Sequence, residues 1–550
     1  METIPSAPLL LVSHALPLAL HAGYPSFLSS GSDGAEPGVL LDGIQHGTIP
    51  LRPLDRFTDA HREALADAVL SDLHKWGAPD AALAAAAALR DPRSYAVVTG
   101  QQAGMAGGPL YTLYKAVGAV RAAAELARRE PDHRFVPVFW IEADDHDFAE
   151  ARAIPLLDRA GAPRTISYDD GDERPLHVGD RPNNADGLAA LVAELREALP
   201  QTEFADDALR IITDSYRTGN GETLADGFAR AMYAMLGDTP LVMASSRNPA
   251  LKRLAADIFE RQALAPEPLF HAVEDATARL RERSLPTPID PRLGGLFITH
   301  EGERRSLVPE GTDYLVKGTD QRMSRDDAAR IAREHPERLS PNVMLRPIAQ
   351  DAIFPTALYL GGPGEIAYLR QILQAYAGFG MEHPAVAPRP FVLIVEPKVN
   401  RLLQSGECSL ETLVAEQFDA AAMVVDAEIL DELEKAGERA AGKMREAFAE
   451  MAEVTRRIDP TLEKTLGSAE AGATRSVDDL AKRLHSALKK KQQTRIDRLN
   501  SARTMLMPGN VPQERASSPL YFIARYGLER FRQILDGITL ESGVVQVVGS

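Results

Sequence analysis

The sequence predicts an α/β protein built on a parallel sheet, with a long helical arm appended. Three observations predict it. Two short apolar runs, Tyr95–Val98 and Phe135–Ile141, flank a long helical pattern that opens at Pro109. That strand–helix–strand order is best satisfied by a right-handed parallel crossover. A further apolar run, Ala357–Leu360, again meets glycines and then a helical pattern. Beyond about Leu402 the pattern becomes heptad: Leu433, Ala440, Ala447 and Val454 repeat every seven residues, and Met444, Met451 and Ile458 interleave at the matching offset.

Composition narrows the class. A chain of 550 residues exceeds one ordinary domain, and about two to four are expected. Hydrophobic content of 45% and charged content of 25% are those of a soluble globular protein. A net charge of −17 speaks against a nucleic-acid surface. The lone cysteine, Cys408, excludes an intrachain disulfide framework and a cysteine-cluster metal site, which fits a reducing cytoplasm. Pro8–Leu20 is largely apolar, but Met1–Leu20 holds no Lys or Arg, and His14 and Pro17 interrupt the run. It therefore reads as a buried segment of the mature protein rather than a leader. No run approaches the ~18–20 apolar residues of a membrane span.

The elements follow in order. Leu51–Leu89 reads as helical, its end Ala81–Leu89 rich in alanine, the strongest helix former. Next come the strand Tyr95–Val98, a loop with Gly100, Gly104, Gly107 and Gly108, and a helix Leu110–Arg129 striped by Leu113, Val117, Val120, Ala124 and Ala127. The strand Phe135–Ile141 then ends in Glu142, Asp144, Asp145, His146 and Asp147. From about 155 to 235, short polar strands alternate with helices such as Asp186–Leu199 and Asp206–Ser215. Leu241–Ala244 is a strand, helices continue to about Ser284, and Leu285–Arg292 is a Pro-rich connector. Leu296–Thr299 reads as a strand and Arg325–Glu334 as a helix, and the strand Phe391–Val395 follows Pro388, Arg389 and Pro390. Pro460 and Gly467 mark a turn in the arm, and a second helix, Val477–Met505, carries Leu480, Leu484, Leu488, Ile496 and Leu499. A dimeric coiled coil and an intrachain hairpin would give the same seam. The aromatic-rich Tyr521–Leu535 is expected to pack back on the core.

Ligands of open α/β sheets bind at the carboxyl ends of the strands. Two adjacent parallel strands would therefore set the glycine loop and the acidic cluster on one rim. A glycine loop before a helix suits an anion, because free N–H groups and the helix dipole point there. Gln101 and Gln102 add donors. The loop fits neither the Walker A nor the GxGxxG pattern, and a tight structural turn would use the same glycines. The acidic cluster could hold magnesium, bind an ammonium group or supply a general base, and His146 could bind phosphate or deprotonate an amine. A solvated acidic turn is the alternative. Zinc lacks its HxxH or HExxH spacing. Gly361, Gly362 and Glu365 are candidates for a second wall of the cleft, and Arg346 for a carboxylate or phosphate contact, although a Gly/Pro turn and an internal ion pair read equally well.

Together these segments resemble the bacillithiol-biosynthesis cysteine-adding enzyme family, BshC. The resemblance rests on Thr99–Ala116 (TGQQAGMAGGPLYTLYKA), Pro137–Glu150 (PVFWIEADDHDFAE), Ser340–Asp351 (SPNVMLRPIAQD), Leu360–Tyr368 (LGGPGEIAY), Pro388–Phe391 (PRPF) and Ser517–Gly527 (SSPLYFIARYG). It implies a Rossmann-like parallel-sheet core with connecting-peptide insertions and an α-helical coiled-coil domain used for homodimerisation. The corresponding partition is 1–155 for the first part of the core, 156–290 for an insertion, and 291–400 for the return to the core with a second insertion. Residues 401–510 form the arm, and 511–550 a segment packing on the core.

The resemblance also implies a reaction, joining the carboxyl of L-cysteine to the amine of glucosaminyl-malate, with cysteine activated by ATP and magnesium and no tightly bound metal. On that reading Gly100, Gln101, Gln102 and Gly108 face the phosphate or activated intermediate. His146, or a neighbouring carboxylate, takes the amine's proton. Asp144, Asp145 or Asp147 holds magnesium or an ammonium group. Tyr111, Trp140, Asn342, Gly361, Gly362, Glu365 and Arg389 are substrate or nucleotide contacts, and Arg346 pairs with a malate carboxylate. Two other classes stay open: a metal-dependent amide hydrolase using the Asp/His cluster, and a non-catalytic nucleotide-binding dimer.

Overall fold

The computed structural model describes residues 49–549 apart from 292–293 and 425–426, together with residues 10–18, 21, 24, 28, 39–40 and 44. It divides into two units, residues 1–407 with 504–550, and residues 408–503.

The first unit is organised by a five-stranded sheet in which every pair is parallel. Its spatial order is Ala385–Pro388, Thr356–Gly361, Ser94–Gln102, Arg134–Glu142 and Val242–Ser245. The chain starts in the middle at Ser94, winds outward to Arg134 and Val242, then returns to the other side of Ser94 with Thr356 and Ala385. The order therefore reverses between the Ser94 and Thr356 strands. At such a switch point the flanking connections leave in opposite directions and open a crevice at the carboxyl ends. The central strands read as continuous apolar runs because both faces are covered: Ala96, Val97, Val98, Val138 and Phe139 are fully buried.

The crossover helix Leu110–Arg129 buries a face different from the expected stripe. Leu113, Ala116, Ala119, Ala122, Ala123 and Leu126 are buried, whereas Ala124 and Ala127 are exposed. Small residues let this helix lie close to the sheet, so its inner face is written in alanine rather than in large apolar side chains. The span 156–290, expected to be an insertion, contributes the core edge strand Val242–Ser245. Helices and the hairpin Ala153–Leu157 with Pro163–Ser167 make up much of the rest of that stretch. Residues 296–341 form a five-stranded antiparallel sheet running from Arg322–Ser324 through Asp313–Val316, Glu303–Glu310 and Leu296–His300 to Leu339–Pro341.

A third sheet joins the ends of the unit. Phe391–Val395 pairs in parallel with Val544–Gly549, which pairs antiparallel with Leu10–Pro17. The described part of the apolar N-terminal run is thus a strand, with Leu16 and Leu18 buried; Pro8 and Leu9 lie outside the described residues. The C-terminal aromatic segment packs inward as expected, with Phe522 and Phe531 buried.

The second unit holds the arm. Ala427–Ile458 and Glu463–Leu506 are long helices separated by a turn at Pro460–Leu462. The second helix starts at Glu463 rather than Val477 and runs through Gly467, since one helical glycine costs only ~1 kcal/mol.

Candidate active site

Gly100 shows how closely the Ser94 strand meets the Arg134 strand beside the switch point. A Cβ there would lie 2.6 Å from the Trp140 carbonyl oxygen, so only glycine lets the two strands meet at this register pair. The loop beyond it is buried. Ala103 N donates to Glu142 O, Ala106 N to the Tyr216 hydroxyl, Gly108 N to Met105 O and Leu110 N to Ser517 O. Gly107 adopts φ 81°, and a Cβ there would strike Met235. These amides are spent inside the fold. Of the two readings open for the glycine loop, these amides fit the packed turn, Gly108 included, and not the anion cradle.

The polar groups of the cleft come instead from side chains. Lys115, one turn into the crossover helix and buried, donates to Gly100 O at 2.7 Å and Gln101 Oε1 at 2.9 Å, and pairs with Glu365. With its oxygen held, the Gln101 amide turns its Nε2 to the Tyr111 hydroxyl at 3.0 Å. Burial pushes Tyr111 up to about 12, so it stays protonated and keeps one O–H to donate. Glu365 also accepts from Gly362 N at 2.8 Å and the Tyr359 hydroxyl at 2.6 Å. Gly361 and Gly362 lead into the helix Pro363–Ile372, whose Glu365 is held to the crossover helix through Lys115. Arg346 reaches the Tyr368 hydroxyl at 2.5 Å and Gln350 Oε1 at 3.1 Å. Among the described residues no carboxylate lies within ion-pair distance of it.

The acidic cluster separates into distinct tasks. Glu142 ends its strand opposite Gln102 and accepts from Trp140 Nε1 at 3.1 Å. Burial, and then the Asp144 carboxylate, push its carboxyl above the ordinary range, against the pull of Arg346 and Arg304. Asp144 points the other way, into the fold, where Lys252 lies at 2.8 Å and Arg247 at 3.0 Å. Burial alone would raise Asp144, but Lys252, Arg247 and His177 hold it below the usual carboxylate range. Asp145 accepts the His146 N–H at 2.7 Å and faces Arg304 at 3.5 Å. Asp147 caps the short helix Phe148–Ala151 through Glu150 N, while its carbonyl accepts from Gln102 Nε2 at 3.2 Å. His146 is half exposed, its Nδ1 3.3 Å from Arg304. Among the described residues no three His, Cys, Asp or Glu side chains gather as a metal site.

The structure thus brings Gln101, Gln102, Tyr111, Trp140, Arg346, Glu365 and the Glu142–Asp147 loop to one rim. Asn342 is engaged elsewhere, donating to Gly294 O and accepting from Met344 N and Leu345 N. Arg389 forks onto Glu514 with both partners buried. Arg304, Arg247 and Lys252 were missed by sequence reasoning. Arg304 lies on the antiparallel sheet, stacked 3.7 Å over Phe297 and tied to Ser340 Oγ and Pro341 O. One signal pointed to Arg247: it follows Val242–Ser245, so it too sits just beyond a strand's carboxyl end.

A parallel sheet with a crevice at its switch point, joined to a long heptad-patterned arm, defines a Rossmann-like α/β protein with an appended coiled-coil domain. Residues 51–390 match the family described as "Bacillithiol biosynthesis BshC, N-terminal Rossmann-like domain", and residues 392–548 match its "C-terminal coiled-coil domain". The chain belongs to the BshC family. Its relatives include three proteins named "Putative cysteine ligase BshC". The one from Prosthecochloris aestuarii is 31% identical over 88% of each chain. The one from Salinibacter ruber is 33% identical over 89% of each. The one from Chlorobaculum tepidum is 31% identical over 83% of this chain and 84% of its own.

Proposed function

We propose that this protein joins the carboxyl of L-cysteine to the amine of glucosaminyl-malate, forming bacillithiol, after ATP activates cysteine. The relatives' shared name supports a cysteine ligase. The observation that carries the reading is the placement, at one rim, of Arg346 and Glu142, neither of which has an opposite charge within ion-pair distance among the described residues. Arg346 would take a malate carboxylate of the acceptor. The Tyr111 O–H and the free donors of Gln101 and Gln102 would meet the oxygens of the activated cysteinyl group. Amide formation in water needs an activated acyl group, and a nucleoside triphosphate supplies it as an acyl phosphate or acyl adenylate. Magnesium would arrive with the triphosphate rather than as a resident ion, since Asp144, Asp145 and Asp147 are engaged within the fold and Glu142 is a single carboxylate. Free cysteine and ATP place the reaction in the cytoplasm. No helix among the described residues is long and apolar enough to cross a membrane.

The test is a mass-spectrometric assay with cysteine, glucosaminyl-malate, magnesium and ATP, each omitted in turn. Bacillithiol should appear only in the complete mixture, with ADP or AMP naming the activation chemistry. Product without ATP, or none from folded protein, overturns the proposal.

The same reading assigns the arm to a second copy of the chain. Its heptad seam is open to solvent: Met451 is 55% exposed, Ile458 75% and Leu480 58%. Apolar a/d positions are stable only against a facing helix. Ile458→Glu combined with Met451→Glu should convert a dimer at micromolar concentration into monomer by light scattering. A chain monomeric before mutation, or a dimer unmoved by the change, would remove the arm from assembly.

A further inference from the structure

Resting on the ligase reading above, we propose that Glu142, and not His146, takes the proton from the attacking amine. Four anionic side chains crowd the end of the Arg134–Glu142 strand, and three are committed. Asp144 is neutralised by Lys252 and Arg247, Asp145 binds its own loop and Arg304, and Asp147 caps a helix. Among the described residues Glu142 has no cation within ion-pair distance and is left facing the rim with only dipolar hydrogen-bond partners. Trp140 Nε1 donates to Oε2 at 3.1 Å, and Asp144 N and Ser246 Oγ to Oε1 at 3.2 and 3.3 Å. These bonds fix the carboxylate without cancelling its charge. It sits on the last residue of a central strand, in register with Gln102, at the rim where ligands of this fold class lie.

His146 is held in the opposite sense. A guanidinium only donates, so at 3.3 Å from Arg304 Nη1 the imidazole Nδ1 accepts. The neutral ring then carries its proton on Nε2. Asp145 Oδ1, 3.4 Å from the same Nδ1, accepts the His146 backbone N–H at 2.7 Å and lies 3.5 Å from the same Arg304 Nη1, so the guanidinium bridges the two side chains. Nε2 is thus a donor, suited to an anionic oxygen and not to an amine proton.

In the transfer step the amine nitrogen adds its lone pair to the acyl carbon and the C–N bond forms. The bond from that carbon to the phosphate or nucleotide oxygen breaks, and the electron pair leaves on oxygen. The surplus proton on nitrogen passes to a Glu142 carboxylate oxygen. Asp144, Arg346, Arg304 and Lys252 are the charged groups that act on Glu142. Burial and Asp144 outweigh the cations, which brings its basicity closer to neutral pH, where a general base works best.

Glu142→Gln keeps the shape and the indole hydrogen bond and removes the base. Activation is read separately by trapping activated cysteine with hydroxylamine, with the thermal unfolding midpoint as the control for folding. In Glu142→Gln, hydroxamate should form at a rate comparable to the unmutated protein. Transfer to glucosaminyl-malate should fall by about 10²-fold or more, and the acid limb of its kcat/KM profile should disappear. His146→Gln should retain that limb. Transfer at the original rate in Glu142→Gln, an equal loss of both half-reactions, or loss of the limb in His146→Gln alone overturns the inference. If the unmutated protein yields hydroxamate but no bacillithiol, the acceptor in the ligase reading is wrong; if it yields neither, that whole reading fails, and the base assignment falls with it.

Discussion

Glu514→Ala is expected to lower the stability of the α/β unit by about 3–5 kcal/mol, the cost of leaving one member of a buried ion pair unpartnered. Arg389 follows the strand Ala385–Pro388 and both its terminal nitrogens reach the Glu514 carboxylate, with each side chain 1% exposed. Nη1 also donates to Pro390 O at 2.7 Å, and the guanidinium lies 4.6 Å from the Phe391 ring centroid. Among the described residues no other carboxylate lies within ion-pair distance of it. The pair ties the parallel sheet's edge to the segment Gln513–Ala516, which Gln513 fastens further through both Ile394 N and Ile394 O. Glu514→Gln, which keeps the shape and one acceptor, should lose less than the alanine variant. Urea unfolding followed by circular dichroism reads both. A loss under ~1 kcal/mol for Glu514→Ala, the range of exposed pairs, would refute a buried structural bridge and return Arg389 to the substrate-binding residues.

That bridge marks where the sequence stopped being legible. The strands Ser94–Gln102 and Arg134–Glu142 were readable because a short apolar run ending in polar residues is a local signal. So was the arm, whose heptads repeat along one chain segment. Gln101 and Glu142 could be placed because each follows an apolar run; Arg346, expected to precede a strand, opens the helix Arg346–Ile353 instead. What lay hidden was the second partner of each charge. Glu514 is 125 residues from Arg389, and Lys252 is 108 residues from Asp144. No periodicity encodes such a separation. The glycine loop stayed open between two readings for a related reason: a tight packed turn and an anion cradle need the same residue, and only the fate of the amides distinguishes them.

The cluster below the rim should make the fold acid-labile well before ordinary carboxylates titrate. His177 is fully buried, its Nδ1 donating to Asp144 O at 2.8 Å and its Nε2 3.0 Å from Thr299 Oγ1. Burial, then Arg247, push it down to about 4 from 6.5, against Asp144 and Asp180. Between those values the unfolded chain binds a proton that the folded chain refuses. Stability is therefore full above about pH 6.5 and falls toward pH 4, by up to ~1.4 kcal/mol per pH unit for one proton. Asp144, held below its ordinary range, adds a loss in the same direction at lower pH. His177→Gln should flatten the upper part of the profile while leaving the lower part. Asp144→Asn should cost about 3–5 kcal/mol even at pH 7.5, because it takes the ion-pair partner from the buried Lys252, while Arg247 keeps Asp180 at 2.7 Å. Adding Lys252→Met should recover part of that loss, since the second change removes the stranded cation. Urea midpoints at pH 7.5, 6 and 5 measure all four proteins. Parallel profiles for the unmutated chain and His177→Gln would show that His177 does not titrate with folding. No recovery in the double variant would show that Asp144 anchors the rim by something other than charge.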